Sequence, residues 1–88
     1  MAYRVEFIPR AAREFQLLPA HVQRRVVRWL ELLAEDPRRA GTKQLGGRPE
    51  FRRVHAGKDY VIVYAIVQGR LLVLVLRVAH RNEAYRGL

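Results

Sequence analysis

Two apolar runs lie back to back in the C-terminal third of the chain. They are Tyr60-Val61-Ile62-Val63-Tyr64-Ala65-Ile66-Val67 and Leu71-Leu72-Val73-Leu74-Val75-Leu76, parted only by Gln68-Gly69-Arg70. Their β-branched and aromatic content suits strands. Successive strand residues face opposite sides, so Val61, Val63, Ala65 and Val67 point one way and Tyr60, Ile62, Tyr64 and Ile66 the other. Apolar side chains on both faces mark central strands, covered on at least part of each side. The spacing predicts strands over 59–67 and 70–78 with a tight turn at Gln68-Gly69. An all-helical fold is thereby excluded, and the rest of the chain must supply the cover.

The preceding residues can do so. Tyr3, Val5 and Phe7 alternate with Arg4 and Glu6, the period-two pattern of a half-buried strand. Pro9 ends it and suits the first turn of a helix. Residues 10–18 read as a short helix with Ala11, Phe15 and Leu18 on one side, and Pro19 breaks it. A second helix is expected from about Ala20 to Ala34, because Val22, Val26, Trp29, Leu30 and Leu33 recur at spacings of three and four. Its other side carries His21, Arg24, Arg25, Arg28 and Glu31, either a solvated face or a surface for nucleic-acid phosphates. Residues 37–50, with Gly41, Gly46, Gly47 and Pro49, read as a basic loop in which Leu45 turns inward. Residues 50–55 form another strand and His55-Ala56-Gly57-Lys58 a turn. The expected fold is α+β: an N-terminal strand, then a helical hairpin packed on a mostly antiparallel four-stranded sheet. At 88 residues it makes one domain, 1–88.

Charge narrows the partners. Lys plus Arg number 17 against 8 acids, and only Lys43 and Lys58 are lysines. A net charge of +9 points to a polyanion or a strongly acidic protein. The start of the chain is too polar for a signal peptide, and Leu71 to Leu76 is far short of a bilayer span, so a cytoplasmic protein away from membranes is expected. There is no cysteine, and no Gly-rich phosphate loop, paired-His metal spacing or carboxylate pair stands out, so neither a metal nor a cofactor is expected.

The last strand runs into His80-Arg81-Asn82-Glu83-Ala84-Tyr85-Arg86-Gly87-Leu88. Such side chains can hold a phosphate, carry a proton and stack on a base. RNA cleavage by 2′-hydroxyl attack asks for a base near the hydroxyl, positive charge on the phosphate and an acid for the leaving oxygen. Arg81 is the candidate for the phosphate, since its fork holds two oxygens at once. Tyr85 stacks on a base, serves as the acid or merely tucks the tail onto the sheet. His80 is a proton carrier or a histidine hydrogen-bonded at the strand end.

Four segments resemble the RelE/ParE superfamily of bacterial toxins, and its RelE branch more closely: Tyr3-Arg4-Val5-Glu6-Phe7 before the hairpin, Lys43-Gln44-Leu45-Gly46-Gly47, Phe51-Arg52-Arg53-Val54 with Asp59-Tyr60-Val61-Ile62-Val63-Tyr64, and Arg77-Val78-Ala79-His80-Arg81-Asn82-Glu83-Ala84-Tyr85. The resemblance implies a toxin of a type II toxin–antitoxin system. It would be an mRNA-cutting endoribonuclease, typically working on the ribosome without a metal, and bound by a cognate antitoxin. The family's arginine after the strand tyrosine is Val61 here. Arg53 could replace its charge if it faces the site, with His55 beside it, while Arg52 and Val54 share the other face. Arg52, Lys58, Arg77 and Lys43 are further candidates for gripping RNA, with a structural role for Arg77 equally open. The alternatives are a ParE-like inhibitor of DNA gyrase that cuts nothing, and a degenerate toxin that only binds its antitoxin.

Overall fold

The computed structural model describes residues 2–88. Strand β1 (Arg4–Phe7) leads into helices α1 (Pro9–Gln16) and α2 (Ala20–Glu35). Strands β2 (Lys43–Leu45), β3 (Arg48–His55), β4 (Tyr60–Val67) and β5 (Leu72–His80) follow. They form one sheet in the order β1-β5-β4-β3-β2. β1 runs parallel to β5 and every other pair is antiparallel. A parallel pair needs a long crossover between its strands, which here contains both helices.

The hairpin follows from the prolines. Pro9 sits in the first turn of α1, where its missing N–H costs nothing. Pro19 precedes α2 and prevents the two helices from fusing. Gln23 then donates to the Phe15 carbonyl at 2.8 Å, satisfying an end-of-helix acceptor and fixing the helices together. Ala11, Val22, Val26, Leu30 and Leu33 pack on one sheet face against Val54, Ile62, Tyr64, Val73, Val75 and Val78. Trp29 is half-buried against the same core.

The opposite face carries a smaller cluster, Val61, Val63, Ala79 and Ala84, with Leu45, Phe51, Leu76 and Leu88 packed around it. Ala84 belongs to the C-terminal tail, so the tail itself covers the second face that the apolar β4 requires.

Three expectations need correction. The sheet has five strands, because Lys43–Leu45, read as loop, pairs with β3. Three residues before two glycines carry no periodic signal, and a strand neighbour supplies what propensity does not. β3 correspondingly starts at Arg48. The link between β4 and β5 is a 3-10 turn, Gln68–Arg70, closed by Leu71 at φ 48, and not a two-residue turn.

Candidate RNA-cleavage site

On the tail side of the sheet lies an open hollow of about 800 Å³. β3 contributes Arg48, Arg53 and His55, the β2 end Gln44, Leu45 and Gly46, and the tail Arg81, Asn82, Tyr85 and Leu88. Strand alternation explains Arg53 and His55, whereas Arg48, of the opposite parity, lies opposite Leu45 beyond an irregularity in the β2–β3 register. Arg53 lies opposite Val63 on β4 and Lys43 on β2, and His55 opposite Val61, all on the tail-covered face. Arg48 lies over the Phe51 ring at 5.8 Å and donates to the Leu88 backbone oxygen at 2.6 Å.

The tail is a run of hydrogen-bonded turns, not a loose end. The Arg81 N–H donates to the Asp59 carbonyl at 2.7 Å, anchoring the tail to the β3–β4 turn. The Glu83 and Ala84 N–H groups both donate to the His80 carbonyl at 2.8 and 3.0 Å. Ala84 is buried, while Tyr85 keeps 42% of its surface exposed and borders the hollow. Among the described residues no Asp or Glu side chain lines this space. Among the described residues none of Arg48, Arg53 and Arg81 is paired with an Asp or Glu side chain. A concavity with three guanidiniums and no acidic side chain concentrates anions, and guanidinium forks match phosphate oxygens. Among the described residues no three His, Cys, Asp or Glu side chains gather as a metal-ligating set.

The sequence model described as the ParE toxin of type II toxin–antitoxin systems (parDE) matches residues 5–85. The chain belongs to the RelE/ParE toxin superfamily. Its fold is shared with the isolated RelE toxin of E. coli, at TM-score 0.80 and 26% identity over 90% of this chain and 84% of that one. It is likewise similar to the RelBE2 toxin–antitoxin complex of Mycobacterium tuberculosis, at 0.79 and 27% identity over 92% and 100%. The archaeal RelE–RelB complex of Pyrococcus horikoshii OT3 matches at 0.77 and 25% identity over 96% and 100%. None of the curated proteins matches the chain in sequence.

Within this toxin the hollow brings together Arg53, Arg81 and Tyr85 of the expected site residues, and it leaves others out. His80 points to the helix side. Its ring meets Tyr60 edge-on at 5.9 Å, and its Nδ1 accepts the Asn82 N–H at 3.2 Å. Arg52 also lies on the helix side, opposite Tyr64, and donates to the Thr42 hydroxyl at 2.8 Å. Arg77 is only 4% exposed and bound to Glu14, out of reach of RNA. Lys43 and Lys58 are exposed, on β2 opposite Arg53 and in the β3–β4 turn, outside the hollow lining. Arg48 was hidden in what read as loop; its signal, a cation three residues before Phe51, has meaning only once β3 extends back to it.

Val61 has 0% exposure and packs with Val63, Ala79 and Ala84. A cation there would lie beneath the tail. The toxin instead carries its charge around the hollow's wall. Behind the sheet, Tyr64 donates to the Pro37 carbonyl at 2.6 Å. Burial pushes its phenol above the ordinary value of 10.0, against the opposing pull of Thr42 and Arg52.

Proposed function

We propose that this toxin is an endoribonuclease that cleaves mRNA in the Arg53–Arg81–Tyr85 hollow. The observation that carries the reading is the convergence of these three residues with Arg48 and His55 in one space that no Asp or Glu side chain of the described residues lines. Arg81 and Arg53 hold the non-bridging oxygens of the scissile phosphate, where charge grows as the phosphorus becomes crowded. His55, the only histidine lining the hollow, takes the proton of the ribose 2′-hydroxyl. The 2′-oxygen bonds to phosphorus, the bond to the 5′-oxygen breaks, and Tyr85 gives that oxygen its proton. The products are a 2′,3′-cyclic phosphate and a 5′-hydroxyl. The need for a 2′-hydroxyl restricts the substrate to RNA. Lys43, opposite Arg53 on β2, and Lys58, in the β3–β4 turn, grip flanking phosphates.

The substrate is mRNA held by the ribosome in the cytoplasm, and a cognate antitoxin silences the toxin. Support for the antitoxin comes from structural relatives that are complexes of RelE with RelB and from the net charge of +9, which an acidic partner would offset. A second reading is gyrase inhibition without cleavage. It is favoured by the match to the ParE sequence model and by the burial of Val61 where other RelE-type toxins place arginine.

Primer extension on cellular mRNA after induced expression separates the two. Cuts that vanish with Arg81→Ala support the nuclease. Tyr85→Phe, which keeps the ring and loses the proton, should slow cleavage on the order of 100-fold. Intact mRNA accompanied by DNA damage turns the assignment to gyrase.

A further inference from the structure

We infer that Arg77, braced by Glu14, is a positioning residue that holds the tail in the shape that turns Arg81 and Tyr85 into the hollow. The inference rests on the RNA-cleaving reading of that hollow. β1 ends opposite Val75, so β5 continues beyond it without a strand partner on that side. Glu14 of α1 fills the gap. One carboxylate oxygen accepts the Val78 N–H at 3.0 Å, and the other accepts Arg77 through Nε at 2.9 Å and the second terminal nitrogen at 2.8 Å. The remaining guanidinium nitrogen of Arg77 donates to the Arg86 carbonyl. One side chain therefore bonds helix α1 at one end and the residue after Tyr85 at the other.

The tail needs such a tie. It has turns but no strand or helix, and Arg86 is exposed. The Arg81 N–H secures the start of the turn and buried Ala84 its middle. Beyond Tyr85 the main chain is held within the turn by the Arg86 N–H on the Glu83 carbonyl at 3.0 Å, and to the rest of the fold through the backbone oxygens of Arg86 and Leu88, each bound by an arginine. Gly87 follows at φ 75, and a Cβ there would lie 2.8 Å from an Arg10 terminal nitrogen. The left-handed turn thus folds the tail against the Arg10–Glu14 side of α1, and Arg10 approaches the same Glu14 oxygen at 4.0 Å. A buried ion pair is an indifferent source of stability, often replaceable by apolar groups. Its value here is orientation, because the planar fork of arginine serves two directions at once. The pair is also neutral as a unit, so its loss leaves the charge of the hollow intact.

The test is the double variant Glu14→Gln/Arg77→Met of the full chain, with Arg77→Lys as the milder partner should the first fail to fold. Amide hydrogen exchange reports the tail directly. Residues 82–87 should exchange about tenfold faster or more, while β4 amides keep their protection. Cleavage of ribosome-bound mRNA should lose on the order of 100-fold in kcat with KM nearly unchanged, the signature of misplacement without loss of binding. Arg77→Lys, which keeps the charge and loses the fork, should fall between. Unchanged tail protection overturns the inference. So does protection lost evenly through β4 and tail, because the pair then only stabilises the fold. If the parent toxin cuts no RNA, the nuclease reading fails while the exchange comparison still decides whether Arg77 holds the tail.

Discussion

Replacing Val61 by arginine, the residue that the RelE resemblance leads one to expect there, should damage this toxin. Val61 is fully buried under Ala84 and between Val63 and Ala79. A guanidinium cannot stay there unpaired, since burying a lone charge costs several kcal/mol. It can escape only by lifting the turn that carries Ala84. Lifting the turn exposes the apolar floor, worth about 1.5 kcal/mol or more for the valine site alone. It also breaks the hydrogen bond from the Arg81 N–H to the Asp59 carbonyl, worth about 1 kcal/mol. The expected loss of stability is therefore about 2–4 kcal/mol. For a small domain whose urea slope is about 1–2 kcal/mol per molar, the denaturation midpoint should fall by about 1–4 M. Because Arg81 and Tyr85 ride on the displaced segment, cleavage should fall as well. Equilibrium urea unfolding followed by Trp29 fluorescence measures the first effect and primer extension the second. A Val61→Arg protein that unfolds within about 0.2 M of the parent, or cuts RNA faster, would show that the tail does not seal this position.

Two further outcomes follow from the geometry. Because the Tyr64 phenol is raised above 10.0 by burial, its contribution to stability is complete below that pH and is lost as pH rises through the folded-state value. Tyr64→Phe should cost about 1–2 kcal/mol at neutral pH, by orphaning the Pro37 carbonyl, and should flatten the alkaline limb of the stability curve; the same alkaline dependence in both proteins would refute this. His80→Phe preserves the edge-on contact with Tyr60 and removes only the acceptor for Asn82, so cleavage should change by no more than about threefold, whereas a loss on the order of 100-fold would return His80 to the proton-transfer step.

The helical hairpin and the central strands were legible because their periods are long and unbroken. Val22, Val26, Leu30 and Leu33 mark one face of α2, and the core contains all four. β2 was not legible: Lys43–Leu45 is exposed or half-exposed and exists through its pairing with β3. The β3 alternation separated Arg52 from Arg53 but could not say which faced the tail. That choice belongs to Val54, which packs under the helices and takes Arg52 with it.

The placement of His80 away from the hollow has a more instructive origin. Strict alternation through β5 would place Val73, Val75, Arg77 and Ala79 on one face and Leu74, Leu76, Val78 and His80 on the other. The structure obeys this only as far as Val75. Val63 pairs with Arg77 while Tyr64 pairs with Val75, so Leu76 is an extra residue and parity reverses there. Past the bulge, Val78 joins Val73 and Val75 under the helices, and His80 follows it to that side. Ala79 instead joins the tail-side floor. A one-residue slip moves every later side chain to the opposite face. The run Leu71 to Leu76 conceals the slip, because leucine and valine on both faces look the same before and after it. The same slip sets Arg77 opposite Val63, at the stretch of β5 where β1 has ended and Glu14 can reach it. What excludes His80 from the hollow is therefore also what puts Arg77 where it can hold the tail, and neither can be read from which residues are present without the strand register.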